Sequence, residues 1–402
     1  MPFDAPRPAA DAQRATTRAV LHAGFVVTGA VTTLLGPILP LLMIRWSLGD
    51  ADAGFFFTLQ FCGNLFGIAS LGVLLVRRGY RFTLTLGFSL MAIGVAGLLA
   101  AGPFEARLAT LVLGSGLGLT ISGVNLWVGE DASEISRHRA SALSLLNMTW
   151  GLGAVAFPVV VMRAQRAGRL FELLLSAAVL CAVPALFLAV RGAEPRATPA
   201  HAEWSGREAP PAQMSTSIIL GALFFLYVGA EASVAGWAAT LASRMGGAAS
   251  RSGDWALAPM FFWAGLLGGR ALAPVILRTI SERALLLGGM TLAAAATGAL
   301  LGVSTFPGVV ISVSAAGLGM AATYPLLAAW MFRQYGARTR HTANALFALG
   351  CAGGAVLPWL VGFTSSRAGS LRAGLAVPLA GCLLMLGLLA LVRRAFLSGQ
   401  ME

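Results

Sequence analysis

A carboxylate stands at Glu231 in the middle of an apolar run, residues 215–241, and no other acidic residue lies so deep in any apolar run of the chain. In hydrocarbon an ionised carboxylate costs on the order of several kcal/mol unless it is paired, wetted or protonated. Two roles suit such a group. It lines an aqueous cavity, where it meets solute hydroxyls or binds and releases a proton, or it makes a structural hydrogen bond to a neighbouring helix. Tyr227 is one helical turn earlier on the same face, so the two side chains can act together. Arg270 lies in the next run, 254–277. It either snorkels to the nearer membrane face, lines the cavity, or ties down a helix end. Helical rise along antiparallel neighbours puts it roughly 10 Å from the level of Glu231, too far for a direct ion pair unless the helices are offset.

Amides and aromatic rings form the second group with chemical potential. Asn125, Asn147 and Asn344 lie within or near apolar runs, and Gln60 and Asn64 are one turn apart in another. Amides hydrogen-bond hydroxyls, and an aromatic face stacks on the C–H side of a sugar ring. Trp127, Trp150, Trp237, Trp263, Trp330 and Trp359 are candidate platforms, although interface anchoring is the usual fate of a membrane tryptophan. The candidate solute-binding set is Asn125, Asn147 and Trp150 in the first half, with Tyr227, Glu231, Trp237, Tyr324 and Asn344 in the second. Glu130, Asp131 and Glu134, beside Arg137, read as a solvated loop. No spaced His, Cys or carboxylate constellation appears, so the expectation is no enzyme, no metal and no cofactor. The four cysteines lie in apolar runs and read as small buried hydrophobes.

The elements that must position these residues follow from composition. The chain is 57% hydrophobic and 11% charged, with too little polar surface for a soluble protein of 402 residues. Apolar runs of bilayer length recur at 17–44, 54–76, 81–101, 106–129, 139–162, 170–190, 215–241, 254–277, 283–303, 308–332, 341–363 and 371–394. Runs this long are helices, since barrel strands need only about ten alternating residues. The chain also resembles itself about 200 residues on. Phe25, Gly29 and Ala30 recur as Phe225, Gly229 and Ala230. Gly116-Leu117-Gly118 recurs as Gly317-Leu318-Gly319, Gly153 and Pro158 as Gly353 and Pro358, and Ala167-Gly168 as Ala368-Gly369. The expected fold is therefore an all-α membrane protein of twelve transmembrane helices in two pseudo-symmetric six-helix bundles. Residues 1–16 read as a disordered cytoplasmic tail, 17–190 as the N-terminal bundle, the Pro-rich 191–213 as a cytoplasmic linker, and 214–402 as the C-terminal bundle. The 49 glycines concentrate in the runs, where small residues let membrane helices approach closely.

All 28 basic residues are arginine. Without lysine the chain has neither a phosphate-binding-loop lysine nor a retinal Schiff base. The net charge of +12 does not mark a nucleic-acid binder, because the arginines are spread along the loops. With the N-terminus inside, the cytoplasmic side carries 18 arginines and the outer side nine. That excess puts both termini in the cytoplasm, and the expected location is a bacterial inner membrane. Arg163, Arg166 and Arg169 run against the rule.

Between the second and third runs stands Gly72-Val73-Leu74-Leu75-Val76-Arg77-Arg78-Gly79-Tyr80-Arg81. This resembles the cytoplasmic loop signature of the major facilitator superfamily, with Val76 where the family has an acidic residue. Tyr227-Val228-Gly229-Ala230-Glu231-Ala232-Ser233-Val234-Ala235-Gly236-Trp237 looks like the seventh helix of its fucose/galactose/glucose:proton symporter branch. Gly116-Leu117-Gly118 with Val124-Asn125-Leu126-Trp127 resembles the fourth helix there, and Gly317-Leu318-Gly319 with Tyr324-Pro325 the tenth. The resemblance implies a monomeric secondary transporter in a lipid bilayer, carrying a small neutral solute such as a hexose by alternating access. It implies gating roles for Arg77, Arg78, Gly79 and Arg81, to which the position of Arg270 adds that residue. The branch places proton-titrating carboxylates in its first and fourth helices. Here the first run has none and the fourth reads Thr120-Ile121-Ser122, so Glu231 is left as the candidate for proton coupling. Two rivals stay open: an exporter of drugs or metabolites with the same fold, and a membrane sensor or scaffold that transports nothing.

Overall fold

The computed structural model describes residues 8–100, 102–132, 136–195, 214–245, 252–335 and 339–391, and among them there are helices and no strands. The helices are α1 (Pro8–Thr32), α2 (Leu35–Trp46), α3 (Asp50–Gly97), α4 (Pro103–Asp131), α5 (Ser136–Arg166), α6 (Leu170–Arg191), α7 (Met214–Ser243), α8 (Ala258–Ile276), α9 (Glu282–Ala299), α10 (Phe306–Met320), α11 (Thr323–Tyr335), α12 (Thr339–Ala368), the single turn α13 (Leu371–Gly374) and α14 (Ala376–Leu391). Each of the twelve apolar runs is helical over most of its length. By length and apolarity, nine stretches among the described residues can cross a membrane, or ten with the pair α1–α2, bent by 45° at its break, taken as one span. α3 joins two runs through a kink at Gly79, and α9 is helical without reaching that threshold.

The tail expected to be disordered is helical from Pro8 onward. α1 extends past its apolar run because its polar turns satisfy themselves: Arg14 pairs with Asp11, and Thr16 and Thr17 donate to the carbonyls of Ala12 and Gln13, both at 2.9 Å. Most of the linker, residues 196–213, lies outside the described residues.

The chain divides into two compact units. One comprises residues 1–33, 62–157 and 168–202, and the other residues 34–61, 158–167 and 203–402. In the first, glycines bring backbones together. A Cβ at Gly153 would run into the carbonyl of Val26, and one at Gly29 into that of Trp150, so α1 and α5 touch main chain to main chain. Gly67 stands against the carbonyl of Ser115 in the same way. At one edge Trp127 donates its indole N–H to the carbonyl of Ala193 at 3.0 Å, and the Ala193 N–H reaches Thr17 at 3.1 Å. The start of the linker is thereby held on α1 and α4.

The second unit repeats this construction about 200 residues later. Gly353 stands against the carbonyl of Phe225, joining α12 to α7, and Gly265 against that of Ser314, joining α8 to α10. Arg81 donates to the carbonyl of Ala189 in the first unit, and Arg283 to that of Ala390 at 3.1 Å in the second. The recurrence is one of contacts as well as letters, as expected of a doubled unit.

Within the second unit the first turn of α3 is clasped by α7 and α12. Arg244 makes two hydrogen bonds to the Asp50 carboxylate, Ser365 donates to the same group, and Ala51 N–H reaches Ser366 Oγ at 3.0 Å. About two turns further along, Thr58 donates to the carbonyl of Ala355 at 2.7 Å. Arg166, one of the three arginines that break the charge rule, has a local use: it binds the carbonyl of Ser252 at 2.7 Å and Asp254 at 2.5 Å.

α9 begins with Ser281 capping Ala284 N–H at 3.2 Å. Glu282 follows, taking Trp330 at 2.8 Å and Arg333 at 3.1 and 2.5 Å. Burial alone would raise this carboxyl, but the hydrogen bonds from Arg333 and Trp330 and the Arg333 charge outweigh it and hold it below the usual carboxylate range. The stability it supplies is therefore complete above the unfolded value, about 4.3, and is lost as pH falls through the lower folded value. Melting temperatures of the wild type and Glu282→Gln should differ by a constant amount above about pH 5 and converge as pH falls through the lower folded value. A gap that persists in acid would show that the carboxylate charge is not what stabilises this corner.

Candidate functional site

The second unit gathers the chemistry. Phe224, Tyr227 and Glu231 occur at i, i+3 and i+7 on α7, so they share one face of that helix. Tyr324, near the start of α11, and Phe347 of α12 meet that face. Tyr324 lies edge-on to Phe224 at 5.7 Å, tilted against Tyr227 at 6.0 Å and stacked on Phe347 at 6.3 Å, while Phe347 is edge-on to Phe224 at 5.8 Å. Offset and edge-to-face pairs like these contribute about 0.5–1.5 kcal/mol each beyond burial. Four rings thus form a rigid aromatic wall.

Two opposite charges stand at this wall. Glu231 interacts electrostatically with Arg270 of α8, and the Tyr227 hydroxyl lies within reach of both. Tyr227 is 1% exposed, and neither its hydroxyl nor the Arg270 Nε finds a partner of full hydrogen-bonding geometry within the protein. Glu231, Arg270 and Tyr324 are each half-buried.

Arg270 and Glu231 interact across a gap. No direct ion pair joins them among the described residues, as the rise argument required. Tyr227, however, is one turn nearer to Arg270, about 6 Å along the helix, and the long arginine side chain spans the remainder. Arg270 therefore belongs to the Glu231 group and does not snorkel away from it.

Other predicted residues fall elsewhere. Trp237 is fully buried, with its indole N–H on the carbonyl of Pro358 at 2.9 Å and its ring tilted against Phe57 at 6.2 Å. That side chain is committed to packing. The side chain of Asn344 is outside what is described; its helix, α12, places it one turn before Phe347. In the first unit Asn125 and Asn147 each donate to the carbonyl four residues back, Ile121 and Leu143, both at 2.8 Å. Each amide keeps its oxygen as an acceptor. Asn147 is exposed, and Asn125 and Trp150 are half-buried. Of the cysteines, Cys181 and Cys382 are buried as expected, but Cys62 is exposed.

At the loop of Arg77, Arg78, Gly79 and Arg81, Gly79 has φ 76° and ψ 177°, a conformation essentially confined to glycine. It breaks α3 and frees the next N–H groups, and Glu194 caps them: Tyr80 and Arg81 N–H donate to its two carboxylate oxygens at 3.0 Å each. The Tyr80 hydroxyl donates to Glu130 at 2.6 Å, and Arg18 pairs with Asp131. Glu130 and Asp131 are thus bonded within the fold, contrary to the solvated-loop reading. Glu194 and Glu130 reach the loop in space although Val76 supplies no carboxylate in sequence. Arg77 and Arg78 are exposed, with Arg78 over the Phe82 ring at 5.4 Å. Gly79→Ala should destabilise the protein by about 1–3 kcal/mol from backbone strain alone. Its Cβ would also stand 2.8 Å from Glu194 Oε1. Thermal unfolding in detergent tests this, with Gly72→Ala, where a Cβ meets nothing within 4 Å, as the comparison.

Sequence reasoning missed Phe224, Phe347 and Glu194. The first two carried a signal: they stand one turn from Tyr227 and from Asn344. Glu194 carried none, since it lies more than a hundred residues from the turn it caps.

A family profile described as Major Facilitator Superfamily matches residues 21–358. Among solved structures, a bacterial homologue of the human lysosomal transporter Spinster, inward-facing and unoccupied, is similar at TM-score 0.74 and 16% identity, covering 99% of this chain and 100% of that one. A D-xylose–proton symporter is similar at TM-score 0.71 and 15% identity, covering 94% and 97%. The E. coli fucose:proton symporter FucP, as an alanine variant, is similar at TM-score 0.61 and 15% identity, covering 93% and 97%. At these identities the likeness is one of fold. No curated protein matches in sequence.

Proposed function

The chain belongs to the major facilitator superfamily, a multi-pass membrane protein, and from that premise we propose that it is a secondary transporter for a small hydroxyl-bearing solute, coupled to protons through Glu231. The observation that carries this reading is a half-buried carboxylate in an apolar helix, beside Tyr227 and Arg270 and against an aromatic wall. The wall offers a stacking surface, and the carboxylate and tyrosines offer hydrogen bonds. A carboxylate in such surroundings binds and releases a proton as its exposure alternates between the two sides. A hexose is the solute to which the resemblance points, and the D-xylose– and fucose–proton symporters of similar fold accord with it. Asn125, Asn147, Trp150 and Asn344 are proposed to complete the binding surface, and Arg77, Arg78, Gly79 and Arg81 to belong to a gate. Domain limits of 17–190 and 214–402, a monomer, both termini in the cytoplasm and a bacterial inner membrane belong to the same proposal.

The test is uptake into proteoliposomes under an imposed pH gradient, with a panel of sugars and sugar derivatives. The wild type should accumulate its solute. Glu231→Gln should lose at least ten-fold of that accumulation while still exchanging solute across the membrane at equilibrium. Unchanged gradient-driven accumulation in the variant would remove Glu231 from the coupling step.

A further inference from the structure

We propose that the transported solute carries one negative charge, a small polyhydroxy carboxylate, received by Arg270 as Glu231 takes up the proton. The inference rests on the proton-coupling reading above and replaces the neutral hexose named there with a charged sugar acid.

Charge balance carries the argument. The groups that face Glu231 are Tyr227 on its own helix, Arg270 on α8 and Tyr324 on α11, with Cys351 of α12 beside Tyr324. Among the described residues Arg270 is the one cation of this group and Glu231 the one carboxylate. An arginine stays protonated at any working pH. When Glu231 is ionised the group is neutral. When Glu231 binds a proton, Arg270 loses its counter-charge in a place where water screens poorly. Tyrosine hydroxyls can accept a hydrogen bond from the guanidinium but cannot cancel its charge. A neutral solute would leave that charge uncompensated in the loaded state, and uncompensated buried charges are strongly disfavoured. A solute with one negative charge restores neutrality, so proton and anion favour each other's binding.

The geometry of the donors agrees. The Arg270 Nε finds no partner within the protein, and Nε with its neighbouring terminal nitrogen forms the edge on which a carboxylate binds with two parallel hydrogen bonds. The Tyr227 hydroxyl, 1% exposed, lies within reach of both Arg270 and Glu231 and adds a further donor. Tyr324, which interacts with Arg270, packs with Phe224 and Phe347 into a surface for the C–H face of a sugar-like body. A deprotonated carboxylate arrives with its charge, the proton goes to Glu231, and both leave together. No bond of the solute changes.

Gluconate, glucose and glucose 6-phosphate separate the possibilities. In proteoliposomes with an acidic exterior, gluconate should accumulate, at a rate unaffected by an imposed membrane voltage, because one proton and one monoanion move no net charge. Glucose should accumulate at least ten-fold less. Arg270→Gln should lower gluconate binding at least ten-fold, read as thermal stabilisation of the purified protein, and Arg270→Lys should recover part of it. The voltage measurement needs only the wild type, so it stands even where an Arg270 variant fails to fold. Glucose accumulated electrogenically and dependent on Glu231 would overturn the anion inference and leave proton coupling intact. Gradient-driven uptake that survives Glu231→Gln would overturn the coupling reading instead. Preference for glucose 6-phosphate over gluconate would overturn the carboxylate class. Failure of gluconate either to stabilise the protein at acid pH or to be taken up also counts against it.

Discussion

Gly353→Leu should leave almost no folded protein, and Gly153→Leu should do the same. At each position the missing side chain is what lets two helices meet: a Cβ at Gly353 would overlap the carbonyl of Phe225, and one at Gly153 that of Val26. A main-chain oxygen cannot rotate aside as a side chain would, so the helices must separate along their whole contact. Forcing extra methylene groups into a packed core costs about 1–3 kcal/mol when side chains can adjust. Here they cannot, and the loss exceeds that range. The comparison is Gly268→Leu, on exposed surface with nothing within 4 Å of a Cβ. Yield and monodispersity in detergent should collapse for the first two and remain at wild-type level for the third. Survival of Gly353→Leu would mean that α7 and α12 do not touch as described.

Asp50→Ala should release the start of α3 from α7 and α12. Asp50 takes both terminal nitrogens of Arg244 and the hydroxyl of Ser365, and its side chain is 11% exposed against 41% for Arg244. Removing the carboxylate strands three donors. Buried charge pairs broken on one side lose about 3–5 kcal/mol, and the exposure of Arg244 lowers this to about 2 kcal/mol. Thermal unfolding should show the loss. The exchanged pair Asp50→Arg with Arg244→Asp should recover most of it, whereas Asp50→Arg alone should be worse than Asp50→Ala. If the double exchange gives no recovery, the attraction between these two residues is not what holds the corner.

The twelve helices were legible because hydrocarbon imposes one rule on every span: long, apolar and helical. The repeat was legible because glycines at helix crossings cannot vary without breaking the crossing, so Gly153 and Gly353 survive in both halves. Glu231 drew notice because an ionised carboxylate in an apolar run is costly unless it is paired, wetted or protonated. What could not be read was anything joined across the chain. The expected gap between Arg270 and Glu231 came from rise alone, which takes no account of side-chain length or of Tyr227 lying between them. Glu130 and Asp131 looked solvated because their partners, Tyr80 and Arg18, are far away in sequence. Trp237 looked like a platform because its motif did, whereas its indole is taken by Pro358. Polar residues at helix ends gave the poorest guide, since water and a distant helix end satisfy them equally well.

The central claim is that Glu231 lines the solute pathway. Glu231→Cys, with Cys62, Cys181, Cys351 and Cys382 replaced by serine, puts it directly to the test with a membrane-impermeant thiol reagent. Position 231 should react from the aqueous phase, and the transported solute should slow the reaction several-fold. Reaction with a lipid-soluble maleimide alone, or labelling that no transported solute slows, would contradict the account.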